Sequence, residues 1–181
     1  MTSALKLGTA PGWGSVTIKN NPKLADTLAV MVAKSKQARK ELRPLAEHIV
    51  KKLYGGDYNS EIMSIYAWVD ANVRYVKDPH DVELVKDPRR CVETGQGDCD
   101  DIACLIASLC MAVGHECRFV VVGFEPNVPS HVVAQCAVRG VVSQGGGSHG
   151  AKDWVTLDPV ANLSTAEMHT RVQYAKIYEI R

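Results

Sequence analysis

The run from Ile102 to Val113, IACLIASLCMAV, is apolar on nearly every side, with Ser108 the exception. A helix with one apolar stripe lies on a surface, whereas one apolar all round must be covered on most sides. This one helix therefore requires other elements to wrap it. Gly114 supplies its C-terminal stop. Upstream the sequence offers three more helices. Asn21-Pro22 reads as a start, with Asn as cap and Pro in the first turn, followed by a face of Leu24, Leu28, Met31 and Val32. Pro44 opens a second helix, because proline is poorly tolerated inside one. Its stripe is Leu45, Ala46, Ile49 and Leu53, and Gly55-Gly56 ends it. A third, capped by Asn59 or Ser60, carries Ile62, Ile65, Tyr66, Val69 and Val73 at helical spacing.

Downstream the period changes. Cys117–Phe124, His131–Val138 and Asp153–Asp158 read as strands, and the glycine-rich RGVVSQGGGSHGAK between the last two reads as a flexible hairpin tip. A short strand is also suggested at SVTIK near the N-terminus. Helices first and a small sheet afterwards is the α+β pattern. The 181 residues suit one domain. It divides into a helical lead-in (1–56), a core (57–165) and a C-terminal tail (166–181).

Composition narrows the functional classes. No apolar run approaches the roughly 18 residues of a membrane span, and the N-terminus lacks the long apolar region of a signal peptide. Residues 19–52 hold nine Lys/Arg against three Asp/Glu, a solvated basic helix pair or a docking face for an acidic partner. No aromatic residue interleaves them, which argues against nucleic acid. The six cysteines form no CxxC and match no zinc spacing, so no metal is expected and the thiols read as reduced.

One cysteine stands apart. In GQGDCDDIA, Cys99 sits where a glycine-rich loop turns into the apolar helix, with Asp98 as the expected N-cap. The first helical turn offers unpaired N–H groups and a partial positive charge, which favour a thiolate. Gly95 and Gly97 would admit a substrate backbone. Against this, Asp98, Asp100 and Asp101 disfavour an anion unless they are engaged in caps or ion pairs, or offset by an imidazolium. Of six histidines, His131 is distinctive because it opens a strand. His48, His115, His149 and His169 have unremarkable settings. If strands 131–138 and 153–158 form a hairpin with His131 opposite Asp158, then Gln135 faces Trp154 and Cys136 faces Asp153. Asp158 would then hold one imidazole nitrogen while the other faces Cys99, the nucleophile–base–orienter arrangement. The remaining cysteines, Cys91, Cys104, Cys110, Cys117 and Cys136, read as core packing.

GDCDDIA, SHVVAQCAV and WVTLDP, taken in order, resemble the Cys, His and Asp motifs of the transglutaminase-like superfamily. IYAWVDANVRYVKDP and GHECRFVVVGF resemble its frame in bacterial and phage members. The resemblance covers roughly residues 24–160, and the chain departs from the commoner form in the VVSQGGGSHGAK insertion. It implies a papain-like core with the nucleophile helix on an antiparallel sheet, and acyl chemistry on amides without metal or organic cofactor. Cys99 would be the nucleophile, His131 the base and Asp158 the orienting carboxylate.

In that chemistry the Cys99 N–H is one oxyanion donor, with Gln96 and, less favoured, Trp68 as candidates for the second. The acceptor stays open. Water gives a peptidase or amidase acting on a protein or peptide, and an amine gives a crosslinking transamidase. A non-enzymatic assembly role beside other phage structural proteins is the third reading. The expected location is the host cytoplasm or the virion.

Overall fold

A computed structural model describes residues 16–18, 24–53, 57–78, 83–138 and 153–180. In chain order the elements are β1 (Val16–Ile18), α1 (Leu24–Glu41), α2 (Arg43–Val50), α3 (Tyr58–Asn72), β2 (Arg74–Tyr75), β3 (Glu83–Val85), α4 (Pro88–Thr94), β4 (Gln96–Gly97), α5 (Cys99–Ala112), β5 (Cys117–Gly123), β6 (His131–Val138), β7 (Asp153–Leu157), α6 (Thr165–Arg171) and β8 (Tyr174–Glu179). The expected helix start at Asn21-Pro22, the Gly55-Gly56 stop, His80, His149 and the hairpin tip at 139–152 lie outside the described residues.

The apolar helix organises the rest, as its composition demands. Every residue of α5 from Asp100 to Cys110 is buried. α1 and α3 cover it with Leu28, Met31, Ile62, Ile65 and Val69, and the sheet covers it with Phe119, Val121, Val132, Ala134 and Leu157. Small residues let α1 approach closely. Ser108, the polar interruption of the apolar run, donates to the Cys104 carbonyl at 2.6 Å and to that of Ser35 at 3.3 Å. Buried hydroxyls cost little once hydrogen-bonded, so Ser108 belongs inside.

The sheet is antiparallel with order β7-β6-β5-β8. Its other face holds a smaller apolar cluster of Val120, Val122, Val133 and Leu163, backed by Met168 of α6. Residues 166–181, read from the sequence as a tail, carry most of α6 and all of β8, which pairs along β5 from Arg118 to Gly123. β8 lacks the apolar alternation of a core strand, because much of it is exposed, and this hid it from periodicity.

Caps differ in detail from expectation. α3 begins at Tyr58, and Asp57 rather than Asn59 or Ser60 is its cap, accepting from the Ser60 N–H at 3.1 Å. α4 was not anticipated. Its start is fixed by Asp87, whose side chain caps Arg89 N–H and pairs with the Arg89 guanidinium at 2.6–2.7 Å. Lys34 approaches the same carboxylate at 3.8 Å and Arg89 also pairs with Glu41, so part of the basic lead-in is turned inward to a buried ion network.

Candidate active site

The first turn of α5 is built by hydrogen bonds. Asp98 caps it, accepting from Asp101 N–H, while the Asp101 carboxylate accepts from Asp98 N–H, each at 3.3 Å. This reciprocal pair satisfies two otherwise orphaned donors. Asp101 also accepts from Lys86 N–H at 2.6 Å and pairs with the Lys86 ammonium, which reaches Asp78 at 3.2 Å. Burial works against the Lys86 ammonium, but Asp101, Asp98 and Asp78 together outweigh it and hold it protonated. Two of the three carboxylates that seemed to threaten a thiolate, Asp98 and Asp101, are thus engaged in the cap and in an ion pair beneath it. Lys86 lies in no motif, and only the carboxylates' need for a partner could have pointed to it.

Gly97 serves a different end from the one expected. A Cβ there would meet the Asp101 Cβ at 2.8 Å and the Cys91 Sγ at 3.4 Å. The missing side chain makes room for the helix cap rather than for a substrate. Gly95, at φ 64°, is the left-handed C-cap of α4.

Cys99 is the first residue of α5 and is partly exposed, unlike the other five cysteines, which are buried. Its sulfur accepts hydrogen bonds from the backbone N–H groups of Val132 and Asp100. Burial first, then Asp100 and Asp98, nevertheless push the thiol up to about 12. The helix terminus alone therefore does not make the resting thiolate that position suggested. Charge and desolvation exceed the field of the first turn.

The structure brings His131 and Asp158 together, with His131 Nε2 3.0 Å from Asp158 Oδ1 and both side chains buried. The register that does so is not the expected one. Gln135 lies opposite Thr156, Cys136 opposite Val155 and Ala137 opposite Trp154, a shift of two residues that keeps every side chain on its predicted face. The cause is Asp158 itself. β7 ends at Leu157 because the Asp158 carboxylate accepts from the N–H groups of Val160, Ala161 and Leu163 at 3.1–3.3 Å. Burial would raise this carboxyl, but His131 and those N–H donors win and hold it below its ordinary value.

The other expected participants are placed as follows. Gln96 is half-buried in β4, which runs parallel to β2. Trp68 is half-buried and packs against the main core. Trp154 lies under the Arg118 guanidinium at 3.9 Å, and Arg118 also donates to Gln135. Tyr75, which the sequence did not single out, is 45% exposed and paired with Gly97 across β2–β4. Its phenol is raised by partial burial and next by Cys99. Its neighbour Val76 is exposed as well.

A family profile described as the transglutaminase-like superfamily matches residues 44–159, which include Cys99, His131 and Asp158. That is well over half of the chain, and the chain belongs to this superfamily. Two solved structures share its fold. One, described as a "putative protease" from Parabacteroides distasonis, is 16% identical with a TM-score of 0.59, over 85% of this chain and 29% of that one. The other, described as a "putative cysteine protease" from Cytophaga hutchinsonii, is 17% identical with a TM-score of 0.52, over 88% of this chain and 53% of that one. The chain thus spans roughly a third to a half of the length of these neighbours. No curated protein sequence matches it. The mixed helix-and-sheet class expected from the sequence is what the fold shows. Among the described residues, no helix is long and apolar enough to cross a membrane.

Proposed function

We propose that the protein is a cysteine-dependent acyl-transfer enzyme that cleaves peptide or isopeptide bonds, with Cys99 as nucleophile, His131 as base and Asp158 as the carboxylate that orients the imidazole. One observation carries this reading. His131 stands 3.0 Å from the buried Asp158 carboxylate, and the N–H of Val132, the residue following His131, acts to favour the Cys99 anion. The family and the description of both structural neighbours as proteases support it.

Because the resting thiol is protonated, attack and proton transfer occur together. As Cys99 Sγ bonds to the amide carbon, its proton passes to His131, and the imidazolium is stabilised by Asp158. The oxyanion of the tetrahedral intermediate is met by backbone N–H, that of Cys99 at the open helix start being the nearest by construction. His131 then protonates the leaving amine, and an acyl-thioester remains. Water, deprotonated by His131, resolves it to the free acid.

The test is product analysis by mass spectrometry on a peptide mixture, with and without a fluorescent primary amine. Hydrolysis products that vanish in Cys99→Ala support the proposal. Amine incorporation in place of hydrolysis assigns transamidation by the same residues. No product from either, with tight stoichiometric binding of a protein partner that survives Cys99→Ala, overturns it in favour of an assembly role.

A further inference from the structure

The three thiols at the far end of α5 have no part in that chemistry. Cys110 lies on the last turns of α5, Cys117 opens β5, and Cys136 is its direct partner on β6. Their sulfur atoms all lie within 4.8 Å of one another, and all three residues are buried. Cys117 and Cys136 are 3.2 Å apart, and the Cys110 sulfur lies within 4.8 Å of both. Three thiols from a helix and two strands thus converge on one point of the helix–sheet interface, which a core filled by small hydrophobes does not require. The neighbouring carbonyls, those of Ala107 and His115, stand 3.7 and 3.8 Å from the Cys117 sulfur.

We propose that Cys110, Cys117 and Cys136 form a closed three-thiolate site for a soft monovalent cation, Cu(I). An ion about 2.3 Å from each of three sulfurs, the zinc–thiolate length, holds them about 4.0 Å apart, so the Cys117–Cys136 pair, at 3.2 Å, opens on binding. Zinc in structural sites takes four ligands, whereas an all-sulfur set with no carboxylate or imidazole in it selects the softest ion. Binding displaces thiol protons to solvent and leaves copper in the same oxidation state, so affinity rises with pH. The route in is short. Cys110 and Cys117 bracket the turn at 113–116, whose Gly114 and Glu116 are exposed.

The experiment titrates the reduced, full-length protein anaerobically with Cu(I) carried by a chromogenic chelator, both on the folded protein and during refolding. One equivalent is expected to leave the chelator and to raise the thermal midpoint. Cys110→Ala and Cys136→Ala should each weaken binding by more than the roughly 10–100-fold that outer-shell changes cost, and should abolish the thermal shift. Cys99→Ala and Cys104→Ala should retain both. Melting curves without copper establish that each variant is folded. The proposal is overturned by no transfer under either protocol, by transfer that persists in the Cys110→Ala/Cys136→Ala double variant, or by a Cys117–Cys136 disulfide in the purified protein.

Discussion

The two ends of α5 each place a cysteine in company, and the companies are opposite in kind. At the N-terminal end Cys99 is partly exposed among the carboxylates of the helix cap. At the C-terminal end Cys110 is sealed against two more sulfurs, with the nearby His115 paired to Glu61 at 3.0 Å. The helix field favours an anion only at the first end, yet the thiol there is held protonated at rest. Position on a helix sets what a thiol can meet, and the partner groups decide what it does. In the proposed mechanism the deciding partner of Cys99 is a base, His131. At Cys110 it is other sulfur.

The largest break in this contrast comes from removing the base. His131→Ala should lower the acyl-transfer rate about 10²–10⁴-fold, read as kcat/KM on a peptide ester, and should also lower the thermal midpoint, because it leaves the buried Asp158 carboxylate without its partner. A comparable stability loss without a rate effect would put His131 in packing instead. Next comes the support beneath Cys99. Lys86→Met leaves the Asp101 carboxylate, fully buried, without its cation. This should cost on the order of 3 kcal/mol in urea unfolding, with the Cys110 end of the helix unaffected in copper binding.

Smaller still is the cap packing. Gly97→Ala drives a methyl against Asp101, and about 1–3 kcal/mol of destabilisation is expected from such overpacking. A neutral result would mean that the first turn of α5 shifts easily. The mildest effect is the acid limb. The Asp158 carboxyl is held below its ordinary value in the folded protein, so the unfolded chain takes up that proton first as pH falls. The stability it contributes is complete above an unfolded pKa of about 3.9 and is lost as pH falls through the folded value. Asp158→Asn should flatten the pH dependence of the urea midpoint in that range. An unchanged acid limb would detach Asp158 from His131.

Much of this was legible in the chain. The all-round apolar run placed α5 at the centre, and Asp98 proved to be its cap. The pairing of His131 with Asp158 followed from strand alternation, but its register slipped by two because Asp158 spends its carboxylate on the turn that ends β7. Side-chain hydrogen bonds of that kind leave no periodic trace. Lys86, Tyr75 and β8 escaped for related reasons. An ion pair 15 residues apart, a two-residue parallel bridge and a largely exposed edge strand carry no local pattern. The thiol cluster was invisible because its spacing is set by tertiary packing, and each of its members alone looks like an ordinary core cysteine.

The central claim is that a protonated Cys99 is activated by His131. Its most direct test is the rate of labelling by an acylating peptide probe, mapped over all six cysteines by mass spectrometry across pH. The account predicts modification at Cys99 alone, slowed at least about 100-fold by His131→Ala. It further predicts that simple alkylation of Cys99 keeps climbing with pH past about 8.5, the ordinary thiol value. Labelling spread evenly over several cysteines, or labelling of Cys99 indifferent to His131, would contradict it.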